Sequence, residues 1–249
     1  MPELTFTPAS FECLFDKFVE SELNGCRLDK MLSGKIPDGT KCADYFFPNP
    51  GIIIELKTLN KNHGEHDFVL GLVEEGLANF GFPLSRKNDW LNSVAPLPQK
   101  VVRFVHGKVQ NSIKNTVRKA NKQVISSRIL LGKKHDSILI CANLNELLFG
   151  PLELLKYLAG HAMSRSTPAI DAILMISPGV QYSSVSHQVQ HYAAPIYADG
   201  KQHLGDFLEP FIEKWLEFEA QSLGLYSDIE KVYEFDEDSK TARPIVAKT

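Results

Sequence analysis

At 249 residues with 43% hydrophobic content the chain has material for a core of its own, and a formal net charge of −3 marks it as neither strongly basic nor strongly acidic. The longest apolar runs, such as 52–54 and 172–176, fall far short of the roughly 20 residues that a membrane-spanning helix needs. The N-terminus shows no basic segment followed by an apolar one, so a cytoplasmic protein is expected.

Residues 10–23, "SFECLFDKFVESEL", open with Ser10 in the N-cap position and set Phe11, Leu14, Phe15, Phe18 and Val19 at helical spacing. At about 100° per residue Glu22 points within about 30° of the centre of that stripe, while Glu20 lies opposite. Glu22 is therefore the misplaced charge of the helix. The stretch 28–36 is readable as a strand or a loop. After the turn signal Pro37-Asp38-Gly39, "KCADYFF" reads as a strand, "PNPG" as a tight turn and "IIIELKTL" as an antiparallel partner strand. The β-branched Ile52, Ile53 and Ile54 favour this pairing.

Residues 60–107 hold polar and Pro-interrupted segments around a short helix over 68–80, the composition of an insertion or lid. From Lys108 to Leu131 the residues Val109, Ile113, Val117, Ala120, Val124 and Leu131 repeat at intervals that predict a long amphipathic helix. Strands are expected at 137–142 and 169–177 with a helix over 151–162 between them, so a β-α-β unit follows the hairpin. That pattern belongs to a mixed sheet flanked by helices. A last helix is expected over 204–223, with Phe207, Phe211, Trp215 and Phe218 on its apolar side; whether these rings form a docking face is left open by the sequence. A charged tail follows over 228–249.

The charges are segregated. No Asp or Glu occurs over 90–135, where Lys100, Arg103, Lys108, Lys114, Arg118, Lys119, Lys122, Arg128, Lys133 and Lys134 all fall, while 199–238 is strongly acidic. The first block is a candidate surface for a polyanion.

Glu55 and Lys57 alternate with Leu56 and so share one face of their strand. Asp44, on the partner strand, can bring its carboxylate to that of Glu55. Two carboxylates at close quarters raise each other's pKa unless a cation neutralises them, and Mg²⁺ with its oxygen preference does this well. Lys57 then either pairs with them as a structural salt bridge or, with a metal present, orients and helps deprotonate a water. The second reading supplies the parts of phosphodiester hydrolysis, with the basic helix holding backbone phosphates.

Asp44, then Glu55-Leu56-Lys57 closing an apolar strand, after a helix bearing Glu22 and before a basic helix, resemble the PD-(D/E)XK nucleases, the restriction-endonuclease-like superfamily. The resemblance covers roughly 10–142 and departs from the motif at Ala43, where its proline would stand. It implies an α/β fold with an αβββαβ core, here with an insertion after the Glu-x-Lys strand and a C-terminal helical extension. One domain would span 1–227, with its core over about 10–177. It further implies that Asp44 and Glu55 hold Mg²⁺ or Mn²⁺, that Glu22 completes the metal site, and that Lys57 assists the attacking water. A Gln or Lys on the following helix would match Gln123 or Lys119. The expected activity is that of a metal-dependent endonuclease on nucleic acid, DNA rather than RNA, with Lys108, Lys114, Arg118, Lys119, Lys122, Gln123 and Arg128 on the substrate. Many nucleases of this kind cut both strands as homodimers. The alternative is a non-catalytic nucleic-acid-binding or assembly protein that keeps the fold.

Other features carry less. "HGEHD" at 63–67 reads as a polar turn beside the active strand, and His187 and His191 as surface or edge-strand histidines. Cys13, Cys26, Cys42 and Cys141 lack any Cys-x-x-Cys spacing, which points to reduced thiols. No phosphate-binding glycine loop or Gly-x-Ser-x-Gly elbow is present, which demotes nucleotide-dependent and serine-hydrolase classes.

Overall fold

The computed structural model describes residues 7–59, 66–133, 135–144, 151–162, 169–182, 189–222, 235–236 and 241–242. Helix α1, Pro8–Glu22, opens on a capping box in which the Thr7 hydroxyl accepts from the Ser10 amide and the Ser10 hydroxyl from the Thr7 amide. Strand β1, Cys26–Arg27, and a single helical turn, α2, Leu28–Met31, occupy the stretch that the sequence leaves between strand and loop. Strand β2, Tyr45–Phe47, returns through residues 48–51 into β3, Ile52–Thr58, with Gly51 at φ 93° where a side chain would be strained.

Helices α3, His66–Asn79, and α4, Ser85–Leu91, lead to α5, Gln99–Leu131. Then come β4, Asp136–Ala142, α6, Pro151–Ala162, β5, Ala172–Tyr182, β6, Val189–Tyr197, and α7, Gly205–Ser222. The described part of the tail forms a small pair, β7, Phe235–Asp236, against β8, Thr241–Ala242.

The main sheet has six strands in the order β1-β2-β3-β4-β5-β6. Its first three strands run antiparallel to one another, β3, β4 and β5 run parallel, and β6 is antiparallel at the far edge. The protein is thus α/β, with a mixed open sheet and helices on both faces. The parallel strands β3 and β4 bury residues in succession on both faces, as a doubly covered sheet requires. On one face Ile52, Ile54, Leu56, Ile138 and Ile140 pack against α1 and α7. On the other, Leu139, Cys141 and Ile173 pack with Val101, Val105, Val109, Ile113 and Val117 of α5.

Several boundaries differ from the sequence reading, β5 among them, which runs over Ala172–Tyr182 rather than 169–177, and two bear on the site. The long helix begins at Gln99, since Val101 and Val105 extend its buried stripe through a segment read as insertion. Gly107, a poor helix former, hides that continuity in the sequence. Of "KCADYFF" only Tyr45–Phe47 joins the ladder, because α5 holds the residues before it: Ser127 Oγ accepts from the Ala43 amide at 2.8 Å and Gln123 Nε2 donates to the Cys42 carbonyl at 3.0 Å. The rings of α7 are spent inside the chain. Trp215 and Phe211 are buried against Phe15 and Phe18 of α1, with Phe207 and Phe218 packed beside them, so they form no exposed docking face. All four cysteines are free, Cys141 buried and Cys13 exposed.

Candidate active site

The hairpin register sets Tyr45, Phe46 and Phe47 opposite Ile54, Ile53 and Ile52. One step further, just past the end of β2, the same register sets Asp44 opposite Glu55. There the Asp44 side chain replaces the ladder: its Oδ2 accepts from the Leu56 amide at 2.8 Å, in place of a main-chain carbonyl. The Asp44 carbonyl accepts in turn from the Leu28 amide at 2.9 Å. Asp44 is therefore fixed by its neighbours on either side.

Strand parity decides which layer covers the site. Ile52, Ile54 and Leu56 face α1 and α7, whereas Ile53 packs with Val124 of α5. Glu55 and Lys57 share the parity of Ile53 and so face the basic helix. Across the parallel ladder they stand beside Leu139 and Cys141 of β4.

Glu55 is fully buried, and the Lys57 ammonium makes an ion pair with its Oε1. Even so, neither Glu55 carboxylate oxygen accepts a hydrogen bond of normal geometry. Burial, above all, and then the negative charge of Asp44 push the Glu55 carboxyl up to about 8, against the opposing pull of Lys57. Burial likewise raises Asp44, partly offset by the Leu56 amide and by Lys57. Two carboxylates thus share one ammonium, and the cluster carries either a surplus negative charge or a proton.

A hard divalent cation suits that donor set. The raised Asp44 and Glu55 carboxyls, with one ammonium between them, call for further positive charge, and Mg²⁺ binds through one or two carboxylates while keeping several waters. Among the described residues no group of three or more His, Cys, Asp or Glu is arranged to hold a metal.

No protein-family model, curated protein or solved structure matches this chain.

Among the residues expected at the site, Asp44, Glu55 and Lys57 come together and Glu22 does not. Glu22 is the last residue of α1, where the apolar stripe leaves the core; it is exposed, with Oε1 accepting from the Ser21 hydroxyl at 2.9 Å. The helix also lies on the opposite face of the sheet from Glu55. The acid of α1 that reaches the hairpin is Asp16. Its two oxygens accept from the Tyr45 hydroxyl at 2.6 Å and from Arg27 Nη1 at 2.9 Å, and its charge adds to the pressure on Asp44. No signal in the sequence singles it out, since both partners come from other elements.

The cations divide into groups. Lys114, Arg118, Lys119 and Lys122 are exposed on α5, and Lys119 lies one turn before Gln123, on the flank that holds Cys42. Lys108 is exposed but paired with Glu75 of α3 at 3.0 Å and set over the Phe104 ring. Arg128 is no surface cation. It clamps the start of β4 and β5, donating to the His135 carbonyl at 2.8 Å and to Asp171 at 2.6 Å. Gln123 serves the approach to Asp44 rather than facing solvent. His63, Glu65 and His187 lie outside the described residues, as do the side chains of His66, Asp67 and His191.

Proposed function

We propose that the protein is a Mg²⁺- or Mn²⁺-dependent phosphodiester hydrolase acting on nucleic acid, with DNA favoured, and that it belongs to the PD-(D/E)XK superfamily. The observation that carries this reading is the register that sets Asp44 against a fully buried Glu55, with Lys57 on the same face and paired to it. The order of elements supports it: α1, β1, β2, β3, α5 and β4 give a helix, three strands, a helix and a strand, with the single turn α2 between β1 and β2, α3 and α4 inserted after the Glu-x-Lys strand, and α6, β5, β6 and α7 following.

The metal, held by Asp44 and Glu55, supplies Lewis acidity and a water of lowered pKa. Lys57 supplies a positive charge at the same spot, where it orients the nucleophile and balances charge that develops on the phosphorus oxygens. Leu56 fixes Asp44 through its amide, and Gln123 and Ser127 fix the chain leading to it, so the carboxylates are held before substrate arrives. The exposed cations of α5 hold the phosphate backbone on the same side of the sheet.

A second reading, a non-catalytic binder of nucleic acid, is favoured by the closed Lys57–Glu55 pair and the absence of a third ligand among the described residues. One assay separates the two: incubation with plasmid, single-stranded DNA and RNA in Mg²⁺, Mn²⁺ or EDTA, beside Asp44→Ala. Metal-dependent cleavage that Asp44→Ala abolishes supports the hydrolase. Retention of DNA with a steep salt dependence and no cleavage supports the binder.

A further inference from the structure

The face that carries Glu55 and Lys57 holds one more unsatisfied polar group. Asn143 follows β4 and is 4% exposed, and its Nδ2 has no hydrogen-bond partner. Its place is well defined. The ladder continues beyond the strand, with the Leu59 amide donating to the Ala142 carbonyl at 2.8 Å and the Asn143 amide to the Ile176 carbonyl at 2.8 Å. Alternation along β4 puts Ala142 and Leu144 in the cluster under α1 and α7, and Leu139 and Cys141 in the cluster under α5. Asn143 therefore shares the parity of Cys141, the residue beside Lys57.

From a strand spacing of about 4.8 Å and a rise of about 3.3 Å per residue, the Cα atoms of Lys57 and Asn143 are roughly 8 Å apart on a diagonal. This is the carboxyl end of the parallel strands, where open α/β sheets bind their ligands. A buried amide donor without an acceptor is costly and rare; here it lies at the strand end just beyond Lys57, whose ammonium is held by Glu55. A donor left without a partner on the face of the site defines a place for an acceptor oxygen.

We propose that Asn143 is a substrate-binding residue, its Nδ2 donating to a non-bridging oxygen of the phosphate that Lys57 also faces; the proposal rests on the phosphodiester reading of the site. It concerns an element outside the hairpin and assigns β4 a part in recognition that neither carboxylate requires.

The test uses the full chain and a defined oligodeoxynucleotide, with Asn143→Ala and Asn143→Asp beside the wild type. Cleavage is followed in Mn²⁺, binding in Ca²⁺, and thermal melting without ligand. Loss of a hydrogen bond to a charged phosphate raises KM or Kd about tenfold or more in Asn143→Ala. Asn143→Asp, which sets a carboxylate against the phosphate, loses more. Asn143→Ala melts no lower than wild type, because its deleted donor had no partner in the free protein. A structural role would instead lower melting and leave KM unchanged. Wild-type KM and Kd in both variants overturn the assignment while leaving the hydrolase intact. Binding that weakens in the variants, in a protein that never cleaves, upholds the assignment and removes the hydrolase.

Discussion

Glu55→Gln tests the electrostatics of the site in the metal-free protein. A carboxyl raised to about 8 in the fold, against 4.5 when unfolded, binds a proton more tightly when folded. Its contribution is present in full below the unfolded value and is lost as pH rises through the folded one, at about 1.4 kcal/mol per pH unit in between. Between pH 5.5 and 8.5 the single group therefore removes about 3 kcal/mol of stability, from the values 4.5 and about 8. Urea unfolding of the EDTA-treated protein at those two pH values measures the loss. Glutamine keeps the shape without the titration, so the variant shows a loss smaller by about 3 kcal/mol. Saturating Mg²⁺, bound by the ionised carboxylates, restores the wild type at the higher pH and leaves the variant little changed. Identical pH dependence of wild type and Glu55→Gln would refute the reasoning, because Glu55 would then be ionised and solvated in the fold.

Other perturbations follow from single contacts. Lys57→Ala folds and binds Mn²⁺ in a calorimetric titration but loses metal-dependent cleavage by on the order of 100-fold or more; full cleavage would remove Lys57 from the mechanism. Arg128→Ala removes one of two cations from the buried Asp171, which keeps Lys201 at 3.1 Å and the Ser137 amide at 3.0 Å, and lowers unfolding free energy by about 1–3 kcal/mol in urea, with no change in the salt dependence of DNA binding. Ser127→Ala deprives the Ala43 amide of its acceptor. It costs about 1–3 kcal/mol on melting and reduces cleavage out of proportion to that loss, because the segment it anchors carries Asp44.

The hairpin was legible because several local signals agree. Three β-branched residues, a Pro/Gly turn and parity set Glu55 and Lys57 on one face, and the short turn brings Asp44 opposite Glu55. Glu22 shows where such reasoning stops: an angle on a helical wheel gives a direction but not whether any sheet lies there, and α1 ends at that residue. Arg128 was read as part of a basic surface because its partner Asp171 lies 43 residues further along the chain. Asp16 escaped notice for the same reason, since Tyr45 and Arg27 meet it only in space. Asn143 gave no sequence signal at all; its unsatisfied amide is a property of packing.

The exposed charges of α1 and α7 are mostly negative and those of α5 positive. Glu12, Glu20, Asp206, Glu209 and Glu217 are exposed on α1 and α7 beside Lys17 and Lys214, while Lys100, Arg103, Lys114, Arg118, Lys119 and Lys122 are exposed on α5, whose neighbour α3 exposes Glu74 and Glu75. At physiological salt, charges interact over about 8 Å, so each layer presents its own sign to whatever approaches it. Under the proposed function, that asymmetry would turn a polyanion away from α1 and α7 and toward α5. The nucleic acid of the proposed reaction would then meet first the side of the sheet that carries Asp44, Glu55 and Lys57.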